Sequence, residues 1–354
     1  MPHGHGSDRR SAASDKSPQA QGYHTHRQRE VAVAQAMLSR GGLEMSSHLW
    51  GVVLAGGEGV RLQALARRVC GDDRPKQYVP VLGDRTLLRQ TLDRVALGIP
   101  SVRTAVVTLR SHAPYFAEHW AGPNPPHLLV QPADRGTAAG ILFPLRWIAR
   151  QDPGATVAVF PSDHFVSEPA TFMAHVAQIA AWVEEHPDRL VLLGAQATGP
   201  EVEYGWIELG RPLDSTDDRR VWEVRRFWEK PSGDMARICL EAGCLWNTLV
   251  LVGKAATFLR AGRAAVPEVD GRLARAELFL GTDEEAWALH QAYALMPKAN
   301  FSRAILEPCP PCLAVAAIPR MVWSDLGTPR RVFEILGSAR DRPAWVLTSD
   351  LAVS

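Results

Sequence analysis

From Trp50 onward, short continuous apolar runs alternate with longer amphipathic stretches, and no other feature of the chain limits the fold as much. The runs Gly51–Ala55, Thr104–Leu109, Leu128–Val130, Thr156–Phe160, Leu190–Gly194 and Leu249–Val252 have strand length. Between several of them, Leu87–Leu97, Thr137–Arg150 and Thr171–His186 carry apolar residues at helical spacing. Strands separated by helices need crossover connections, which set successive strands parallel. Runs such as VVLA and VAVF are continuous, as in strands covered on both faces. The pattern predicts an α/β fold: a Rossmann-like mixed, mostly parallel sheet flanked by helices. Pro144 inside the second helical stretch predicts a kink, and polar strands are expected near Gly205–Leu209 and Val221–Trp228.

Length allows two domains or one large unit, since domains run to roughly 100–200 residues. One domain over residues 47–340 is the simplest account of the 354 residues, with 1–46 as a disordered polar tail and 341–354 as a C-terminal tail. The first segment is rich in Gly, Ser and His and lacks the apolar core of a signal peptide. His3, His5, His24 and His26 can chelate metal, but a tail is the plainer reading, with a short helix at 30–40. A net charge of +1 argues against bulk binding to nucleic acid or an anionic membrane. No apolar stretch approaches the roughly 18 residues of a membrane helix. Five scattered cysteines do not make a disulfide scaffold, so Cys309 and Cys312 read as reduced thiols in a turn and a cytoplasmic location is expected.

The stretch LAGGEGVRLQALARRVCGDDRPKQY, residues 54–78, carries the most chemistry. An apolar strand ends at Ala55 and runs straight into Gly56-Gly57-Glu58-Gly59. Ligands of open α/β sheets bind beyond the carboxyl ends of strands. Glycines there let backbone N–H groups approach phosphate oxygens with no Cβ in the way. A P-loop reading fails, because Gly-Lys-Ser/Thr does not follow at the required spacing, and a dinucleotide fingerprint fails because its third glycine position is Leu62. What remains is a glycine loop followed by two cations, Arg61 and Lys76, which suits a triphosphate that loses pyrophosphate. A bare glycine turn is the plain alternative for the loop alone.

GGEGVRL followed by RPKQY resembles the signature of sugar-1-phosphate nucleotidylyltransferases, above all the mannose-1-phosphate guanylyltransferases. The resemblance continues in order through QPADRGTAAGI (131–141), FPSDH (160–164), EYGWIELG (203–210), FWEKP (227–231), LWNT (245–248) and WSDLGT (323–328). It implies a fold of the nucleotide-diphospho-sugar transferase type. The implied reaction moves a nucleotidyl group from a nucleoside triphosphate, GTP by resemblance, to a sugar 1-phosphate, mannose 1-phosphate by resemblance. Its products are an NDP-sugar and pyrophosphate. No nucleic-acid or membrane partner is implied, and a homodimer is compatible.

The resemblance also assigns residues. Mg²⁺ is implied between Asp163 and Asp325. Arg61 and Lys76 face the departing pyrophosphate, and Lys230 binds the sugar phosphate. Leu54, Ala55, Gly56, Gly57, Gly59, Gln131, Gly136 and Thr137 contact the nucleotide; Gly205, Glu229 and Asn247 line the sugar pocket. Taken singly, Asp163 also reads as a helix cap and Asp325 as a turn residue before Gly327. Ser162-Asp163-His164 is no catalytic triad, because triad members meet in space and not as sequence neighbours.

Three departures stand out. Gln131 replaces the glutamate frequent in guanine users, and Gly136 replaces an asparagine. Guanine's adjacent N–H donors suit a carboxylate, whereas an amide suits an edge with one donor and one acceptor, as in uracil, thymine or adenine. Leu249 stands where the family has glycine, which bears on the sugar pocket. Gln63-Ala64-Leu65 replaces the usual residues after the loop arginine. Another base or sugar, or a nucleotide-sugar sensor without catalysis, are the alternatives; a sensor would not need the metal carboxylates.

Overall fold

The strand expected at Gly51–Ala55 forms as β1 (Leu49–Leu54), and Thr104–Leu109 forms β2 with those bounds. The computed structural model describes residues 47–120, 124–216, 219–338 and 342–346. The segment 1–46, with its histidines and expected helix, lies outside them, as does most of 341–354. The chain continues through β3 (His127–Gln131), β4 (Thr156–Pro161), β5 (Phe165–Val166), β6 (Leu190–Gln196), β7 (Gly205–Thr216) and β8 (Arg219–Glu229). It closes with β9 (Leu245–Lys254), β10 (Leu313–Ala317) and β11 (Trp323–Ser324).

Nine strands make one sheet in the order β3-β2-β1-β4-β9-β6-β10-β8-β7, and β5 pairs separately with β11. β3, β2, β1 and β4 are mutually parallel, as are β6 and β10. β9 is antiparallel to both β4 and β6, and β8 to both β10 and β7. Within the described sheet only β8 and β9 therefore run against the rest. The architecture is the mixed, largely parallel sheet that the apolar pattern predicts. The strand expected at Leu249–Val252 is longer than its apolar run, because Leu245, Trp246 and Asn247 pair with β6 beyond a register shift at Thr248 and Leu249.

The continuous apolar runs follow from burial on both faces. Trp50, Val52, Val157 and Val159 pack under the helices Gly136–Gln151, Ala255–Ala265, Pro267–Glu277 and Glu285–Ala294. Their neighbours Leu49, Val53, Ala158 and Phe160 pack on the opposite face against Leu87–Val95 and Pro169–Glu185. Pro144 sits inside Gly136–Gln151 without breaking it. Trp345 and Val346, placed by sequence in a C-terminal tail, pack against the cluster of Leu62, Leu65 and Leu336. Arg68 lies over the Trp345 ring and donates to its carbonyl (3.2 Å). Two apolar side chains found an apolar wall, which explains the difference.

One buried residue makes stability pH-dependent. His175, on the helix Pro169–Glu185, is buried, and its Nε2 has no hydrogen-bond partner. Burial holds its pKa down to about 4, against a smaller upward pull from Gln178. A histidine held low binds fewer protons folded than unfolded, so its contribution is intact above about 6.5 and is lost as pH falls toward about 4. We expect His175→Leu to flatten this acid loss by on the order of 3 kcal/mol at most. Denaturant titrations at pH 7.5 and pH 4.5 measure it, and His164, also held to about 4 by burial, keeps part of the slope. An unchanged slope in the variant would assign the acid sensitivity elsewhere.

Candidate active site

β1 delivers Leu54 and Ala55 to the carboxyl edge of the sheet, where the glycine loop begins. Ala55, expected at the nucleotide, is fully buried and does not line the cleft described below. Its N–H donates to the Val107 carbonyl (2.7 Å), and its own carbonyl accepts from Gln77 Nε2 (2.8 Å), Thr108 Oγ1 (3.3 Å) and His112 Nδ1 (3.3 Å). With every polar group engaged inside the protein, Ala55 anchors the loop instead. Gln77 Nε2 also donates to the Gly57 carbonyl (2.9 Å). Gly59 has φ +62°, and a Cβ there would stand 2.7 Å from Lys76 Cβ. The loop can rest on the Lys76 turn only because Gly59 has no side chain.

A cleft of about 650 Å³ opens over the loop. Leu54, Gly56, Gly57, Gly59, Gln131, Gly136 and Thr137 line it, so the remaining nucleotide-binding candidates are gathered in one place. Gln131 is buried, accepts from Tyr293 Oη at its Oε1 (3.1 Å), and lies beneath Gly56. Burial holds the Tyr293 hydroxyl protonated, so it serves as the donor. The opposite wall is Lys298, Ala299, Asn300 and Arg303. Ala299 is bound to the helix start in both directions: its carbonyl accepts from Ala138 N (3.0 Å) and its N–H donates to the Arg135 carbonyl (3.1 Å). Thr137 Oγ1 accepts from Phe301 N (2.8 Å), and Asp134 receives Gly136 N (2.8 Å) and pairs with Lys298.

Lys76 forms the hinge between cleft and carboxylates. Only 6% exposed, its ammonium pairs with Asp163 Oδ2 at 2.9 Å and donates to the carbonyls of Asp325 and Leu326. Asp163 follows β4 and Asp325 follows β11, so strand ends set both carboxylates. Asp325 Oδ1 accepts from Tyr204 Oη (3.0 Å), Gly327 N (2.8 Å) and Arg331 Nη1 (2.9 Å). Burial alone would raise the Asp325 carboxyl, but His164, Arg331 and Lys76 and the Gly327 N–H outweigh it and hold the pKa below the usual range. Asp163 Oδ1 lies 3.8 Å from His164 Nε2. Among those residues no cluster of three or more His, Cys, Asp or Glu side chains forms a metal site. Carboxylates at the carboxyl edge of a sheet are nonetheless the kind of oxygen donors that a hard divalent cation shares with substrate phosphates.

The sugar-pocket candidates also converge. Gly205 pairs with Glu229 across β7 and β8, and a Cβ at Gly205 would lie 3.1 Å from Asn247 Cβ and 3.2 Å from Glu229 Oε2. Burial raises the Glu229 carboxyl above its ordinary range, against the nearby Lys230 and Arg303 charges. Lys230 Nζ lies 3.9 Å from Glu203 Oε2, which also accepts from Arg61 Nη1 (2.5 Å). Glu203 therefore joins the cation of the glycine loop to the cation of the sugar side.

Residues 50–341 match the model of the Nucleotidyl transferase family. The chain belongs to that family. The xanthan biosynthesis protein XanB of Xanthomonas campestris pv. campestris (strain B100) is 29% identical over 281 residues, covering 78% of this chain and 57% of that protein. A mannose-1-phosphate guanylyltransferase of Escherichia coli (strain K12) is 27% identical over 301 residues, covering 82% and 60%. The chain thus spans less than two thirds of the length of these curated relatives. A structure titled mannose-1-phosphate geranyltransferase, from Thermus thermophilus, superposes with a TM-score of 0.68 at 30% identity, covering 81% of this chain and 79% of that one.

Within this nucleotidyl transferase, the three described non-glycine residues with positive φ are Lys230 (53°), Leu249 (56°) and Leu326 (48°). All three fall in the motif blocks or next to them. Such backbone costs about 1–2 kcal/mol per residue for L side chains. It is a backbone that a glycine, the residue the resemblance expects at position 249, would adopt without that cost. The sequence reading missed Glu203, Tyr204, Tyr293, Lys298 and Arg331. Glu203 and Tyr204 lay inside a quoted block; the other three sit in stretches with no motif, and only the fold brings them in.

Gly136 supplies the sharpest test of this geometry. Its φ is +82°, and a Cβ there would overlap the Ala299 carbonyl, whereas Gly57 has nothing within 4 Å of that position. Gly136→Ala should lower unfolding free energy by about 2 kcal/mol or more, and Gly57→Ala should stay within about 0.5 kcal/mol. Equal effects in denaturant melts would contradict the packing described.

Proposed function

We propose that this nucleotidyl transferase moves a nucleotidyl group from a nucleoside triphosphate to a sugar 1-phosphate and releases pyrophosphate. The observation that carries the reading is Lys76, buried between Asp163 and the Asp325 carbonyl, with the glycine-lined cleft on one side and the Gly205–Glu229–Asn247 group as the sugar side. An oxygen of the sugar phosphate forms a bond to the α-phosphorus while the bond from that phosphorus to the bridging oxygen breaks. The bond pair leaves with pyrophosphate. Such a reaction asks the protein for positioning and for compensation of spreading negative charge.

The chain's own groups fit those tasks. Gly57 and Gly59 present backbone to the triphosphate, and Arg61 meets the charge that builds on the leaving pyrophosphate. Lys76 places a fixed positive charge at the transfer point. Lys230 holds the sugar phosphate, whose oxygens replace the Glu203 carboxylate as its anion. Glu229 and Asn247 accept and donate hydrogen bonds to sugar hydroxyls. Asp163 and Asp325 would hold Mg²⁺, which supplies charge neutralisation of the phosphates when bound.

GTP and mannose 1-phosphate are the substrates we propose, supported by the names of the relatives. Gln131 favours a second reading. With Oε1 taken by Tyr293, its NH₂ is the group left for the base; it can donate to a base carbonyl, as on uracil or thymine, but cannot accept guanine's adjacent N–H donors as a carboxylate does.

Pyrophosphate release with Mg²⁺ from GTP, UTP, dTTP, ATP and CTP, each crossed with several sugar 1-phosphates, tests both. We expect turnover, highest with GTP and mannose 1-phosphate; preference for UTP or dTTP supports the second reading. Asp163→Asn and Asp325→Asn should each lower kcat by roughly a hundredfold or more with an unchanged circular dichroism spectrum. No release from any pair would overturn the catalytic reading in favour of a binding protein. Wild-type rates in either variant would remove that carboxylate's role.

A further inference from the structure

The sequence pair Cys309-Pro310-Pro311-Cys312 has no part in the chemistry above, yet the fold arranges it closely. The chain makes a tight turn there: Cys312 N donates to the Cys309 carbonyl (3.2 Å), and the Cys312 thiol donates to the same oxygen (3.2 Å). Cys309 Sγ and Cys312 Sγ stand 2.8 Å apart, and both residues are half-buried, so a small molecule can reach them. The turn is held from outside as well, since Arg189 Nη1 donates to the Pro311 carbonyl (2.8 Å). We propose that Cys309 and Cys312 form a reversible dithiol–disulfide site that exchanges with low-molecular-weight disulfides.

The step balances without any further reactant. One thiolate of the pair attacks a sulfur of the small disulfide, forming a mixed disulfide and expelling one small thiolate. The second cysteine loses its proton to solvent and attacks the protein sulfur of that mixed disulfide, expelling the second small thiolate. The protein is oxidised by two electrons and the small disulfide is reduced to two thiols. Two thiols already in contact, on a turn that keeps their Cα atoms within bonding range, need little rearrangement. Burial and the adjacent Cys309 push the Cys312 thiol up to about 12 in the reduced pair, which makes Cys312 the poorer first nucleophile of the two. The pair follows the segment Lys298–Arg303 that walls the cleft and leads directly into β10, so the bond would close just behind the site.

The test uses the folded full-length protein treated with oxidised glutathione, then alkylated, digested with trypsin and weighed. Arg303 and Arg320 bound a peptide, Ala304–Arg320, that contains both cysteines and no others. We expect it to resist alkylation, to be lighter by two hydrogens, and to regain two alkylatable thiols after dithiothreitol. Cys309→Ser should leave Cys312 unlinked within that peptide. A treated wild-type peptide that still takes two alkyl groups, carries glutathione on either cysteine instead of the internal bond, or links to Cys239 or Cys244 would overturn the proposal.

Discussion

A lysine ammonium placed inside a protein must find negative charge and hydrogen-bond acceptors, because an unpaired buried charge costs several kcal/mol. Lys76 meets that demand with Asp163 and two carbonyls that belong to the Asp325 turn. One interaction thereby fixes three separate pieces of chain: the turn after the glycine loop, the end of β4 and the turn after β11. The glycine loop depends on it in turn, since Gly59 packs against the Lys76 backbone and Gln77 holds the carbonyls of Ala55 and Gly57. A cation of the protein thus joins the Asp163 carboxylate to the turn that carries Asp325.

Around that point the sheet is rigid and the connections carry strain. Both faces of β1 and β4 are covered, so the strand ends are set by close packing. The left-handed residues Lys230, Leu249 and Leu326 sit in the motif blocks or beside them, where surrounding structure can hold an unfavourable backbone. Asp325 shows the same over-determination: Tyr204, Arg331 and Gly327 all bind one of its oxygens, and Arg331 stacks 4.2 Å from the Tyr204 ring centre while pairing with Glu201.

Much of this was legible in the residues. Continuous apolar runs mark the doubly covered strands, and the ends of those runs put Gly57 and Asp163 at the carboxyl edge of the sheet. Two kinds of feature were not legible. Antiparallel β9 was seen only as Leu249–Val252, because Asn247 and Thr248 interrupt its apolar pattern while the strand still runs along β6. Partners distant in sequence, such as Tyr293 for Gln131 and Arg331 with Glu201, have no local period or spacing to betray them. Nor does position beside the loop reveal that the Ala55 backbone is engaged with Val107, Gln77, Thr108 and His112.

The proposed reaction depends on where the phosphates lie, and a crystal structure with Mg²⁺, a non-hydrolysable nucleoside triphosphate analogue and a sugar 1-phosphate measures that directly. The α-phosphate is expected beside Lys76, Asp163 and Asp325, the base against Gln131, and the sugar phosphate on Lys230. A triphosphate bound away from the glycine loop, or a sugar phosphate bound away from Lys230, would contradict it.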